Sequence, residues 1–144
     1  GVSVGEEDHV KPAVEAEGEL ALWQIAMKPG KPLAFGKVRR SDRSRGEAWF
    51  IGLPGNPVSS FVTFLMMVRP FVLRLQGISE LEPARIPMRA DFSWPRPDRR
   101  REFLRASFNA GGGLDLFPNQ GSAVLTSISP GDVVRFIPLS SLGA

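Results

Sequence analysis

At Leu53-Pro54-Gly55-Asn56-Pro57 an extended segment must end and a helix must begin. Asn56 is a strong N-cap, because its side-chain oxygen can accept a first-turn N–H. Pro57 suits the first helical position, where its missing N–H would have had no intrahelical partner. The helix is predicted to run to about Gln76, with Gly77 as its stop. Its interior is apolar nearly all round, through Phe61, Val62, Phe64, Leu65, Met66, Val68, Phe71, Val72 and Leu75. A helix of this kind must be covered by a sheet or a partner chain. Pro70 is predicted to kink it, and Met66 and Met67 are most simply core residues.

Upstream, strand and helix signals alternate. Residues 8–17 form a predicted short helix that Asp8 can cap, with Pro12 about one turn in and Gly18 as its stop. Strands are predicted over residues 20–27, 33–38 and 48–53. The stiff loop Lys28-Pro29-Gly30-Lys31-Pro32 separates the first two, and an arginine-rich loop at 39–46 separates the last two. Beyond Gly77 the pattern becomes all-β, with short strands predicted at 86–92, 102–108, 113–117, 122–128 and 132–137. Such strands suit a small barrel or sandwich. The reading is an α/β domain over residues 1–78 and a small all-β domain over 79–144, with the boundary near 79–83.

The composition narrows the chemistry. The 144 residues include no cysteine, no tyrosine and one histidine, His9. This excludes a disulfide framework, a thiol nucleophile, a zinc–thiolate site, an iron–sulfur cluster and any site needing two histidines. The longest apolar run, residues 61–68, is shorter than the roughly 20 residues of a membrane span. The first residues have neither the charged start nor the apolar core of a signal peptide. A cytoplasmic protein with no membrane partner is therefore expected. The net charge is +3, and fourteen of the eighteen basic residues are arginine, the side chain best shaped for oxyanions. A solvated basic surface is the plain alternative. A basic surface could carry a nucleic-acid footprint, but the aromatic residues are not interleaved with the arginines as a single-strand binder needs and no groove-reading motif is visible, so nucleic acid is not an expected partner.

Three segments could carry chemistry. The turn Pro54-Gly55-Asn56-Pro57-Val58-Ser59 can present backbone N–H groups and the Ser59 hydroxyl to an anion; it can equally be a well-capped helix start and nothing more. Lys28 and Lys31 sit three residues apart on a loop stiffened by two prolines, placed for an oxyanion or phosphate or simply for solvent. Gly1-Val2-Ser3-Val4-Gly5-Glu6-Glu7-Asp8 is a turn entering a helix with acids at its mouth. Asp8 could hold magnesium or position a water, while acids there are also ordinary helix starters. His9 beside it is best read as a surface or packing residue.

The order of these segments carries more than any one of them. GVSVGEED, then MKPGKPLAFG, then GLPGNPVSSFVTF with a helix ending in RPFVLRLQG, resembles the molybdopterin molybdenumtransferase family, the molybdenum insertases, which includes the C-terminal domain of gephyrin. The resemblance covers residues 1–77 closely. Residues 78–144 match more loosely, through RREFLRA, NQGSAVLTS and GDVVRFIPL.

The resemblance implies the C-terminal half of a molybdopterin-binding, adenylyltransferase-like three-layer α/β domain followed by a small β-barrel. It implies insertion of molybdenum from molybdate into adenylylated molybdopterin with release of AMP, assisted by Mg²⁺. By resemblance Asp8 is the acid handling metal and phosphate, and Ser3 and Gly5 line its loop. Lys28 and Lys31 match lysines near the pterin phosphate and molybdate. Gly55, Asn56, Pro57 and Ser59 match the loop at the same pocket, and Arg100 and Ser122 match positions linked to molybdate capture. Gln24 departs from the family pattern, standing where many relatives carry a basic residue. A homodimer is expected, with a molybdopterin adenylyltransferase as upstream partner. The first glycine falls where the family has the last glycine of a longer turn, so the chain is expected to be the C-terminal part of a larger protein, inactive alone. The alternative is a non-catalytic, gephyrin-like binding or scaffold module.

Overall fold

A computed structural model describes residues 9–30, 32–39, 46–94, 99–118 and 133–138. It divides into two compact units, Gly1–Arg69 and Pro70–Ala144.

In the first unit, helix α1 (Val10–Glu17) leads directly into strand β1 (Gly18–Gln24). Pro12 lies in the first turn of α1, where a missing N–H breaks no helical bond. His9 occupies the cap position without a side-chain cap bond, and Asp8 lies outside the described residues. Gly18 ends α1 in extended rather than left-handed backbone (φ −178°). Its glycine has a different cause from the predicted helix stop: a Cβ there would overlap the Lys37 carbonyl of the neighbouring strand.

Strand β2 (Met27–Lys28) follows a break at Ile25-Ala26, so the predicted strand over 20–27 is two pieces. Strands β3 (Pro32–Arg39) and β4 (Glu47–Gly52) complete an antiparallel sheet in the order β1-β3-β4. The register pairs Leu20 with Gly36 and Ala34 with Gly52. Leu33 and Ala34 of the central strand are buried, with Met27 and Val14 completing a small core. Each large apolar side chain so buried stabilises by about 1.5–3 kcal/mol. On one face Phe35 stacks on Trp49 at 5.2 Å, and the Lys37 ammonium sits 4.8 Å above the Trp49 ring while pairing with Glu47 at 3.1 Å.

The helix after β4 forms as predicted, from Pro57 to Leu75, but in three parts. Helix α2 (Pro57–Thr63) passes into a π-helical turn (Phe64–Val68) and then into α3 (Arg69–Leu75). A π turn lies immediately before Pro70, the residue predicted to distort the helix. Pro70 has no N–H for the Met66 carbonyl and would crowd it in a regular helix. Widening the preceding turn, with the Arg69 N–H reaching back to Phe64, makes room for the ring. Gly77 adopts φ +83°, with its N–H on Arg74 O and the Ile78 N–H on Leu73 O, both at 3.0 Å. This is the paired-bond helix stop that favours glycine.

The helix has 19 residues and is long and apolar enough, by length and composition alone, to cross a membrane; the uninterrupted apolar run in the sequence understates it. Its buried residues are Ser59 and Thr63, whereas Phe61, Phe64, Met67, Val72 and Leu75 are exposed. Its small polar side chains thus face inward and much of its apolar surface is uncovered.

In the second unit, β5 (Ile86–Arg89) pairs with β9 (Val133–Phe136), and β7 (Ala106–Phe108) with β8 (Leu114–Leu116), both antiparallel. The predicted strand over 102–108 splits into β6 (Arg101–Glu102) and β7. The predicted strand over 122–128 lies outside the described residues. These pairs are small sheets, and no closed barrel is formed among the described residues. Ala90 and Leu114 are fully buried and bridge the two pairs, with the Asp91 N–H on Leu114 O at 2.9 Å. Phe108 meets Phe136 edge-on at 4.9 Å.

Candidate functional site

The antiparallel register explains how two of the motifs meet. Because Ala34 lies opposite Gly52, the start of β3 and the end of β4 share one end of the sheet. The loop Met27-Lys28-Pro29-Gly30 enters β3 there, and the turn Pro54-Gly55-Asn56 leaves β4 there. Met27, Pro29, Gly30 and Pro54 are buried, Lys28 is half-buried, and Gly55, Asn56 and Pro57 are exposed. The Lys28–Pro29 peptide is cis.

The loop rests on the first two turns of α2. A Cβ added at Gly30 would overlap Thr63 Oγ1, and would lie 3.4 Å from the Ser59 carbonyl oxygen and 3.5 Å from the Met27 methyl carbon. Gly30 also has φ +117°, a conformation that side-chain-bearing residues rarely adopt. Both constraints select glycine at the centre of the MKPGKP motif.

At the helix start, Asn56 Oδ1 accepts the Ser59 N–H at 3.1 Å and Asn56 O accepts the Ser60 N–H at 2.8 Å. The Ser60 hydroxyl donates to the Pro54 carbonyl. Pro57 has no N–H to offer. Of the first four helical residues, the Val58 amide alone is therefore not engaged by these cap bonds. Ser59 is buried under the loop. The turn is first a well-made cap, and its anion-binding capacity is narrower than the motif suggests.

Thr63 is fully buried, and its hydroxyl finds no hydrogen-bond partner among the described residues. A buried, unsatisfied hydroxyl costs about 1–3 kcal/mol. Sequence reading passed over Thr63 because a threonine inside an apolar helix gives no signal of its own.

The structure thus places the Met27–Gly30 loop, which carries Lys28, and the Pro54–Asn56 turn at one end of the first unit's sheet, with Gly30 against Ser59 and Thr63. Ser3, Gly5, Asp8, Lys31 and Ser122 lie outside the described residues. Arg100 belongs to the second unit, just before β6. No group of three or more His, Asp or Glu side chains that could hold a metal ion occurs among the described residues, and Asp8, the predicted magnesium ligand, lies outside them.

A second polar cluster is structural. Arg89 Nε and Nη2 donate to the two carboxylate oxygens of Asp91 at 2.7 and 3.0 Å. The Asn109 amide donates to Asp91 Oδ2 at 2.7 Å, and its oxygen accepts the Gly111 and Gly113 N–H groups at 3.0 and 2.9 Å. The Arg89 hydrogen bond, then that from Asn109, lowers the Asp91 pKa to about 2, and Arg89 is raised in turn. The cluster clamps the β7–β8 hairpin turn.

Comparison with known proteins matches residues 1–74 to a family described as "Probable molybdopterin binding domain". A molybdopterin molybdenumtransferase from Haemophilus influenzae is 53% identical over 77 residues, covering 54% of this chain and 17% of the relative. The molybdenum cofactor synthesis protein cinnamon of Drosophila melanogaster is 36% identical over 146 residues, covering 96% of this chain and 23% of the relative. A molybdopterin molybdenumtransferase from a Nostoc species is 28% identical over 144 residues, covering 99% of this chain and 31% of the relative. The chain spans less than a third of each of these relatives. With the family match covering half the chain and including both converging motifs, the protein belongs to the probable molybdopterin binding domain family.

Proposed function

We propose that the chain acts in molybdenum cofactor biosynthesis, as part of a protein that inserts molybdenum from molybdate into adenylylated molybdopterin and releases AMP. The observation that carries this reading is the convergence of the Met27–Gly30 loop and the Pro54–Asn56 turn at one end of a sheet.

Both substrates are anions. Lys28, with Lys31 next to the loop, supplies ammonium groups for phosphate and molybdate oxygens. Gly55 lets a ligand approach the backbone at the helix start, where the Val58 amide is available. No cysteine is needed, because the sulfurs that hold molybdenum belong to the pterin dithiolene. Asp8, with Ser3 and Gly5 in its loop, is proposed to handle metal and phosphate, and Arg100 and Ser122 to contribute to molybdate capture. The working protein is proposed to be a homodimer that receives its nucleotide-linked substrate from a molybdopterin adenylyltransferase.

The test is molybdenum insertion by the natural full-length protein carrying Lys28→Ala. The expected result is loss of insertion at an unchanged melting temperature; retained insertion overturns the assignment of Lys28. If the wild-type protein folds and dimerises but neither inserts molybdenum nor binds molybdopterin, the enzyme reading gives way to the gephyrin-like scaffold role.

A further inference from the structure

Thr63 is an unusual residue to bury. It lies one helical turn after Ser59 on the inward face of α2, fully enclosed, with no hydrogen-bond partner for its hydroxyl among the described residues. A threonine inside a helix commonly bonds back to the carbonyl four residues earlier; Thr63 makes no such bond to Ser59. Burial alone would favour valine, which has the same shape without the hydroxyl. What lies over Thr63 is the backbone of Gly30, so close that a Cβ there would overlap Oγ1. The Gly30 conformation (φ +117°) and the short Thr63 side chain together set how low the loop sits on the helix. Lys28 is two residues away on that loop.

We propose that Thr63 is a positioning residue: its side chain sets the height of the Met27–Gly30 loop above α2, and so the point from which Lys28 meets an anionic substrate. This rests on the reading of the converged loops as the molybdopterin site. Thr63 touches no substrate and acts through Lys28.

The test is equilibrium binding of molybdopterin to the full-length protein, measured across a range of salt concentrations. Four variants are compared with wild type: Thr63→Val, Thr63→Leu, Lys28→Ala and the Thr63→Leu/Lys28→Ala pair. Thr63→Val keeps the branched outline and removes a hydroxyl that has no partner among the described residues, so it is expected to bind within about twofold of wild type. Thr63→Leu lifts the loop and is expected to weaken binding about tenfold, the scale of one hydrogen bond to a charged group. It should also flatten the salt dependence, which loss of packing alone would not do. In the Lys28→Ala background, Thr63→Leu should add less than about a twofold loss, because both changes act on one interaction. If Thr63→Leu does not fold, Thr63→Ile makes the same comparison with the added bulk on a β-branched stem like that of threonine. Additive losses from Thr63→Leu and Lys28→Ala overturn the inference and leave the site reading intact. No loss from Lys28→Ala overturns both.

Discussion

Asn56 Oδ1 lies 3.1 Å from the Ser59 amide nitrogen and accepts its hydrogen bond, closing the first turn of α2 directly after the β4 strand. The same residue's carbonyl takes the Ser60 N–H at 2.8 Å. The side chain of Asn56 thus fixes where the helix starts. Replacing Asn56 by alanine should destabilise the fold by about 1 kcal/mol, while Asn56→Asp should keep most of the cap. Urea denaturation of the two variants checks this; equal stability of Asn56→Ala and wild type would contradict it.

Gly30 and Gly46 offer a controlled comparison. Both have positive φ, +117° and +74°, but a Cβ at Gly46 meets nothing within 4 Å whereas one at Gly30 overlaps Thr63 Oγ1. Gly46→Ala should lower stability by about 1 kcal/mol from backbone strain alone. Gly30→Ala should lose more than that, and should alone impair molybdopterin binding by displacing Lys28. Melting temperatures and binding of both variants test the difference.

The Arg89–Asp91–Asn109 cluster sets a pH dependence. The Asp91 carboxyl titrates near 2 in the folded protein, against an ordinary value of 3.8. A lowered folded-state value means that the carboxylate stabilises the fold above about pH 4, and that this contribution is lost as pH falls towards 2. Asp91→Asn should therefore lower the melting temperature at neutral pH, and the gap from wild type should close near pH 2. A gap that is constant across this range would show that Asp91 does not act through its charge.

The apolar face of the long helix has a direct consequence. Phe61, Phe64, Met67, Val72 and Leu75 are exposed in the isolated chain. The 144-residue chain alone should bind a hydrophobic dye and self-associate. Phe64→Ser and Leu75→Ser together should reduce both effects with little loss of melting temperature, because neither side chain is buried. Light scattering and dye fluorescence read the result.

Much of the first unit was legible in the residues. Pro57 and Asn56 mark the helix start through rules that depend only on which backbone N–H groups need partners, and Gly77 marks its end because closing the last carbonyls needs a residue at positive φ. The strands at 33–38 and 48–53 were placed to within a residue or so, since turn residues bound them. Other features depend on neighbours distant in sequence. Gly18 looked like a helix stop, and only the approach of Lys37 shows why it is glycine. Pro70 signals a distortion, but that it takes the form of a π turn depends on how the helix accommodates the Met66 carbonyl. At the site, MKPGKP and PGNPVS were visible as motifs, whereas their convergence follows from the β3–β4 register and the contact of Gly30 with Thr63. A threonine in an apolar helix and a glycine in a loop carry no local signal that they touch.

The central claim is that the two motifs form one binding site. It is tested most directly by hydrogen–deuterium exchange of the natural full-length protein with and without molybdopterin. The account predicts that peptides covering residues 27–32 and 53–60 both become protected, and with the same dependence on molybdopterin concentration. Protection of only one of these segments, or of neither while molybdopterin binds elsewhere, would contradict it.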